Sequence, residues 1–116
     1  MTPQTRTFSV VIATYNRPAR LTACLAALAV QDFPRARFEV VVVDDGGDGD
    51  LAGLVARFAE SLDIRLLRKD NGGPASARNL GVEHANGHYI AFTDDDCEPD
   101  PGWLAGLEAV IVSGDK

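Results

Sequence analysis

Cysteine is scarce in this chain: Cys24 and Cys97 are the only two in 116 residues. They stand at no metal-binding spacing, and a secreted domain this small would ordinarily carry several disulfides. Free thiols in a reducing compartment are therefore the expectation. No apolar stretch reaches the roughly 18 residues of a membrane span. The polar start, Met1-Thr2-Pro3-Gln4-Thr5-Arg6, has no signal-peptide core. Basic residues are outnumbered 11 to 17, for a net charge of -6. That excludes a general nucleic-acid binder, which needs a basic face. A glycine-rich G-x-G-x-x-G motif is missing, so nothing supports a dinucleotide cofactor. Repeats, low-complexity tracts and internal linkers are missing too. What remains is a length suited to one domain with one core and an apolar fraction of 46%, too high for a disordered chain.

The hydrophobic pattern alternates between two periods. Phe8 to Ala13, Phe38 to Val43, Ile64 to Leu67 and Tyr89 to Thr93 are short apolar runs, mostly β-branched, as in strands covered on both faces. Between them lie helical stripes. Leu21, Cys24, Leu25 and Leu28 follow Pro18, and Leu51, Leu54, Val55, Phe58 and Leu62 follow Asp44-Asp45-Gly46-Gly47. A third helix runs from about Ala75 to His84, with Pro74 at its first position and Asn86-Gly87 closing it. A fourth begins at Pro101, capped by Asp100, with Trp103, Leu104, Leu107, Val110 and Ile111 as its apolar face. The order β-α-β-α-β-α-β-α predicts an α/β fold, a Rossmann-like parallel sheet with helices on both faces and right-handed crossovers.

In such a sheet the carboxyl ends of all strands share one edge, and ligands bind there. The residues just past each strand are Thr14-Tyr15-Asn16-Arg17, Asp44-Asp45, Lys69-Asp70-Asn71-Gly72-Gly73 and Asp94-Asp95-Asp96. Taken singly, each has a plain structural explanation: a surface aromatic, an Asp-Gly turn, a helix entry, a loop with a cap. Their convergence on one rim is what points to a site. The three consecutive aspartates point to its chemistry. Like charges a few ångströms apart repel unless something cationic sits among them. The usual cation is a divalent metal with hard oxygen ligands, often shared with substrate phosphates.

The motifs resemble glycosyltransferase family 2, with its GT-A fold. Ser9-Val10-Val11-Ile12-Ala13-Thr14-Tyr15-Asn16-Arg17-Pro18 looks like the family's opening, and Val41-Val42-Val43-Asp44-Asp45-Gly46 like its second strand. Asn71 to Gly81 resembles its third motif, and Phe92-Thr93-Asp94-Asp95-Asp96 its D-x-D metal motif. The set is in the family's order and spacing and covers residues 8 to about 112.

The resemblance implies a partial GT-A sheet of strand order 3-2-1-4, spanning 1–116 as one nucleotide-diphospho-sugar-binding domain. It further implies nucleotide contacts from Thr14, Tyr15, Asn16, Arg17, Gly73, Arg78, Asp94 and Asp95. Thr14 and Tyr15 would meet the nucleobase, and Asp45 or its neighbour Asp44 would accept from its edge. Asp94 or Asp95 would bind ribose. Asp96, with Asp94, would hold Mn²⁺ or Mg²⁺. The implied partner is a nucleotide-diphospho-sugar, most simply a UDP-sugar, with inverting transfer to an acceptor hydroxyl. In the family the catalytic base comes from a later acceptor half. This chain therefore reads as an N-terminal part, scarcely active alone, whose uncovered sheet surface would favour a homodimer. The same reading places it in the cytoplasm, at the inner membrane face if later segments bring it there. Two other functions stand as alternatives. One is a non-catalytic nucleotide-binding module. The other is a sugar-1-phosphate nucleotidyltransferase, disfavoured because Thr14-Tyr15-Asn16-Arg17-Pro18 lacks that class's glycine-rich phosphate loop.

Overall fold

A computed structural model describes residues 6–113. Four strands, β1 (Phe8–Thr14), β2 (Phe38–Asp44), β3 (Ile64–Arg68) and β4 (Tyr89–Phe92), form one parallel sheet in the order β3-β2-β1-β4. The helices are α1 (Pro18–Ala29), α2 (Ala52–Ala56), α3 (Pro74–His84) and α4 (Trp103–Val112), with a 3-10 turn at Arg35–Arg37. Both the α/β class and the strand order expected from the sequence are found.

The pleat divides the core. Val10, Ile12, Val40 and Val42 face one way and pack with Leu21, Cys24, Leu25 and Leu28 of α1, Leu104 of α4, and Leu51 and Leu62 flanking α2. Val11, Val41 and Val43 face the other way, toward Ala77 and Leu80 of α3. The two central strands are buried along almost their whole length because helices cover both faces. On the α3 side the contact is close. A Cβ on Gly81 would come within 2.5 Å of the Val11 side chain, so glycine lets the helix sit down on β1.

Several boundaries differ from the sequence expectation. The second helical stripe yields only the five-residue α2, and residues 57–61 continue as turns that return Leu62 to the core. Helix α4 starts at Trp103 rather than Pro101. Asp100 accepts through its carbonyl from Trp103 N at 2.9 Å and through its carboxylate from Gly102 N at 3.3 Å, making a turn before the helix instead of its N-cap. Val110, counted in the apolar face, is 60% exposed. Thr93 falls outside β4. No helix among the described residues is long and apolar enough to cross a membrane.

Register fixes the functional edge. Thr14 lies opposite Asp44, and Asp44 opposite Arg68, in a row across the carboxyl ends of β1, β2 and β3. The end of β4, Phe92, lies opposite Val11, so the following Thr93–Asp96 segment runs along the same rim beside the end of β1.

Candidate donor-binding site

A pocket of about 350 Å³ opens at this rim. Thr14, Tyr15 and Arg17 reach it from the end of β1, Asp45 from β2, Asn71, Gly73, Pro74 and Arg78 from the loop and helix after β3, and Asp94, Asp95 and Asp96 from β4. The convergence expected from strand alternation is therefore present.

The three aspartates do not behave alike. Asp95 turns inward: its side chain is 7% exposed, accepts from Thr14 Oγ1 at 2.8 Å and pairs with Arg17 at 3.4 Å. Asp94 and Asp96 point outward, Asp94 paired with Arg78 at 3.3 Å and Asp96 with Arg17 at 3.8 Å. Two guanidinium groups thus sit among the three carboxylates and relieve the repulsion that the sequence raised. Beneath the turn, Cys24 is buried and donates its thiol to the Asp94 carbonyl at 3.6 Å. Burial first, and then its anionic neighbours Cys97, Asp95, Asp96 and Glu98, push the Cys24 thiol up to about 12.

Asp45 anchors a loop. Its Oδ1 accepts from Gly72 N and its Oδ2 from Gly73 N, each at 3.0 Å. Lys69 Nζ and Asn71 Nδ2 stand at 3.4 Å from Oδ1 and Oδ2 respectively. Burial alone would raise this carboxyl, but the Gly72 and Gly73 N–H groups and the Lys69 ammonium outweigh it and hold it below the usual carboxylate range. Gly73, pinned this way, has φ +96°, a backbone that favours glycine, and delivers the chain into α3 at Pro74. No side chain caps the start of α3, whose partial positive end borders the pocket.

Two of the sequence candidates stand outside the lining. Asp44 is buried, accepting from Gly47 N at 3.0 Å through Oδ1, with Arg68 Nε 3.4 Å from Oδ2. Asn16, at φ 54°, accepts from Asp48 N at 2.8 Å and ties the β1 loop to the β2 loop. Both hold the rim in shape, because their side chains are turned to the β2 loop, Asp44 to Gly47 N and Asn16 to Asp48 N. Thr14 lines the pocket, but its hydroxyl is committed to Asp95, which leaves Tyr15, 49% exposed, as the free flat surface. The sequence reading placed Lys69 and Asn71 on the rim but gave them no role; Asn71 lines the pocket and Lys69 supports Asp45 behind it. Their position just past β3 was the available signal. That reading missed Cys97, which lies beside Asp94 and Asp96.

A donor set of exposed carboxylates from Asp94 and Asp96 suits a hard divalent cation such as Mn²⁺ or Mg²⁺ that keeps water or phosphate oxygens in its shell. Fold and site together define a GT-A-type α/β domain with an acidic turn at the rim of its parallel sheet. Residues 9–116 match the family description "Glycosyl transferase family 2", and the chain belongs to that family.

Among curated relatives, the hyaluronan synthase of Pasteurella multocida is 40% identical over 92% of this chain and 11% of its own length. The poly(ribitol-phosphate) β-N-acetylglucosaminyltransferase TarS of Staphylococcus aureus is 38% identical over 77% of this chain and 16% of its own. Among solved structures, TarS 1-349 in complex with UDP-GlcNAc superposes with a TM-score of 0.87 at 35% identity, over 92% of this chain and 31% of that one. A mannosyltransferase from Pyrobaculum calidifontis in complex with GDP-Man and Mn²⁺ gives 0.82 at 32% identity, over 96% and 33%. The chain thus spans about a tenth to a third of the length of these relatives.

Proposed function

We propose that this chain holds the donor substrate of an inverting glycosyl transfer: a nucleotide-diphospho-sugar, a UDP-sugar first of all, bound with Mn²⁺ or Mg²⁺. The observation that carries the reading is one pocket lined from all four strand ends, with Arg17 and Arg78 interleaved among the carboxylates. The relatives whose structures hold UDP-GlcNAc and GDP-Man support a nucleotide-sugar donor, and the higher identity to the one holding UDP-GlcNAc, 35% against 32%, is the reason for putting uracil first.

In this reading Tyr15 stacks on the base, and the Asn71–Gly73 loop shaped by Asp45 closes one side of the pocket. Arg78 and the start of α3 face the diphosphate. Asp94 and Asp96 hold the ion, which when bound acts as a Lewis acid toward charge developing on the leaving diphosphate. Asp95, fixed by Thr14, keeps Arg17 beside the acidic turn. Each of the pocket's four carboxylates is engaged by a cation or a hydrogen-bond donor. None is therefore poised as the base that deprotonates an acceptor hydroxyl, and the role assigned here is donor binding. A purely nucleotide-binding module shares this feature. Transfer of sugar to any acceptor by the chain would separate the two.

The test is calorimetric titration of UDP into the chain with Mn²⁺ and then with EDTA, repeated with GDP and dTDP. Metal-dependent UDP binding is expected. Failure of all three nucleotides under both conditions would overturn the donor-site reading.

A further inference from the structure

The acidic turn carries a sulfur. Cys97 Sγ and one carboxylate oxygen each from Asp94 and Asp96 all lie within 4.8 Å of one another, and all three residues are exposed. Cys97 N donates to the Asp94 carbonyl at 3.1 Å, which closes the turn. Cys97 Sγ stands 3.8 Å from Asp96 Oδ1. The other thiol, Cys24, is buried against the Asp94 carbonyl and is no part of this group. That an ion sits here rests on the donor-site reading above and on the Mn²⁺ held by a relative 32% identical, not on the cluster itself.

We propose that the Cys97 thiolate is a third protein ligand of that ion. The centre would then present two oxygens and one sulfur, and would select softer divalent ions (Co²⁺, Zn²⁺, Cd²⁺) over the hard Mg²⁺. The chemistry is a matter of ligand softness. Mg²⁺ takes oxygen ligands in near-ideal octahedral geometry and gives up water reluctantly. A thiolate favours softer ions. Binding exchanges the S–H proton for the metal and releases that proton to solvent. Cys97 is exposed, so replacing it by serine leaves the core untouched.

The experiment titrates Cd²⁺ into the metal-free chain, following the thiolate-to-cadmium charge-transfer absorption. A band saturating at one equivalent is expected in the wild type and should be lost in Cys97→Ser. It should also be strongly reduced in the Asp94→Asn/Asp96→Asn double variant. In calorimetric titrations of Cd²⁺ and of Mg²⁺, the preference for Cd²⁺ over Mg²⁺ should fall at least about tenfold in Cys97→Ser, on the scale seen when metal-site contacts are removed. No band, a band that survives Cys97→Ser, or a band indifferent to the two aspartates would overturn the assignment. The last outcome would mean a lone thiol binding cadmium by itself. UDP binding supported equally by Mg²⁺ and Mn²⁺ without a band would sink this inference and leave the donor site standing. A band with no nucleotide binding would sink the donor site and leave the ligand assignment.

Discussion

Replacing Asp45 by alanine tests whether this carboxylate reads the base or builds the loop. A carboxylate offers about four lone-pair sites. Here two are taken by the backbone of Gly72 and Gly73 at 3.0 Å, and Lys69 and Asn71 approach at 3.4 Å. Little acceptor capacity is left for an edge of uracil. A hydrogen bond to a charged group contributes about 1.5–3 kcal/mol. Gly72 is exposed and its N–H recovers a water, whereas Gly73 is half-buried and Lys69 loses its carboxylate partner. The net loss in Asp45→Ala should then be about 2–3 kcal/mol, roughly 10–20 °C in Tm for a domain of this size.

The wild type should also lose this contribution in acid. The folded carboxyl lies below its unfolded value, so the stabilisation is present above roughly pH 4 and lost as pH falls through the folded value. The variant should lack that part of the acid limb. Circular dichroism melts give the stability, and calorimetry with UDP and GDP gives the function. If Asp45 shapes the loop, both nucleotides weaken together. A Tm within a few degrees of wild type, with UDP binding lost and GDP binding kept, would refute the anchoring argument and return Asp45 to the base edge.

Other outcomes follow from the same geometry. Asp96→Ala should abolish metal-dependent UDP binding while changing stability by less than about 1 kcal/mol, because its pairing with Arg17 is half-exposed and Arg17 keeps Asp95; unchanged metal-dependent affinity in calorimetry would reject it as a ligand. Cys24 ionises freely only when unfolded, so the chain should lose up to about 1.4 kcal/mol of stability per pH unit between its ordinary value of 9.0 and about 12; denaturant melts of Cys24→Ala should lack that component of the alkaline slope. The outer edge of β4 pairs with no other strand among the described residues, and Tyr89 and Phe92 there are 45% and 50% exposed. Self-association of the chain through this edge is expected, and a monomer at micromolar concentration in light scattering would count against it.

The strands were legible because their runs are apolar, β-branched and bounded by Asp, Gly or Pro. The parallel sheet and its rim followed from alternation, and the strand order from the family resemblance. The short α2 was not legible. The apolar spacing continues from Leu54 through Phe58 to Leu62, and a chain of turns can return side chains to the core at nearly helical intervals. The choice between tandem aspartates was equally hidden. Asp44 and Asp45 are equivalent in composition, and only the register of β3, which brings Arg68 opposite Asp44, shows which one turns to the pocket. Asp45's loop contacts lie 27 and 28 residues away, beyond any local pattern. Asn16 illustrates the same limit, since its φ of 54° and its bond to Asp48 exist only once two loops have met.

Charge at the rim connects these pieces. Asp45, Asp94, Asp95 and Asp96 face Lys69, Arg17 and Arg78, so the lining is slightly acidic before any ligand arrives. A nucleoside diphosphate is itself anionic and would be repelled by a lining of that sign. Under the proposed reading, a divalent cation on Asp94 and Asp96 reverses the local charge. It also competes for the Asp94 carboxylate that Arg78 holds, which frees that guanidinium group to turn toward phosphate oxygens, while Arg17 stays paired with Asp95. Metal and nucleotide should therefore strengthen each other's binding by the same factor, as linkage requires. Lys69 stays outside this exchange, because its partner Asp45 is committed to the loop rather than to the ion.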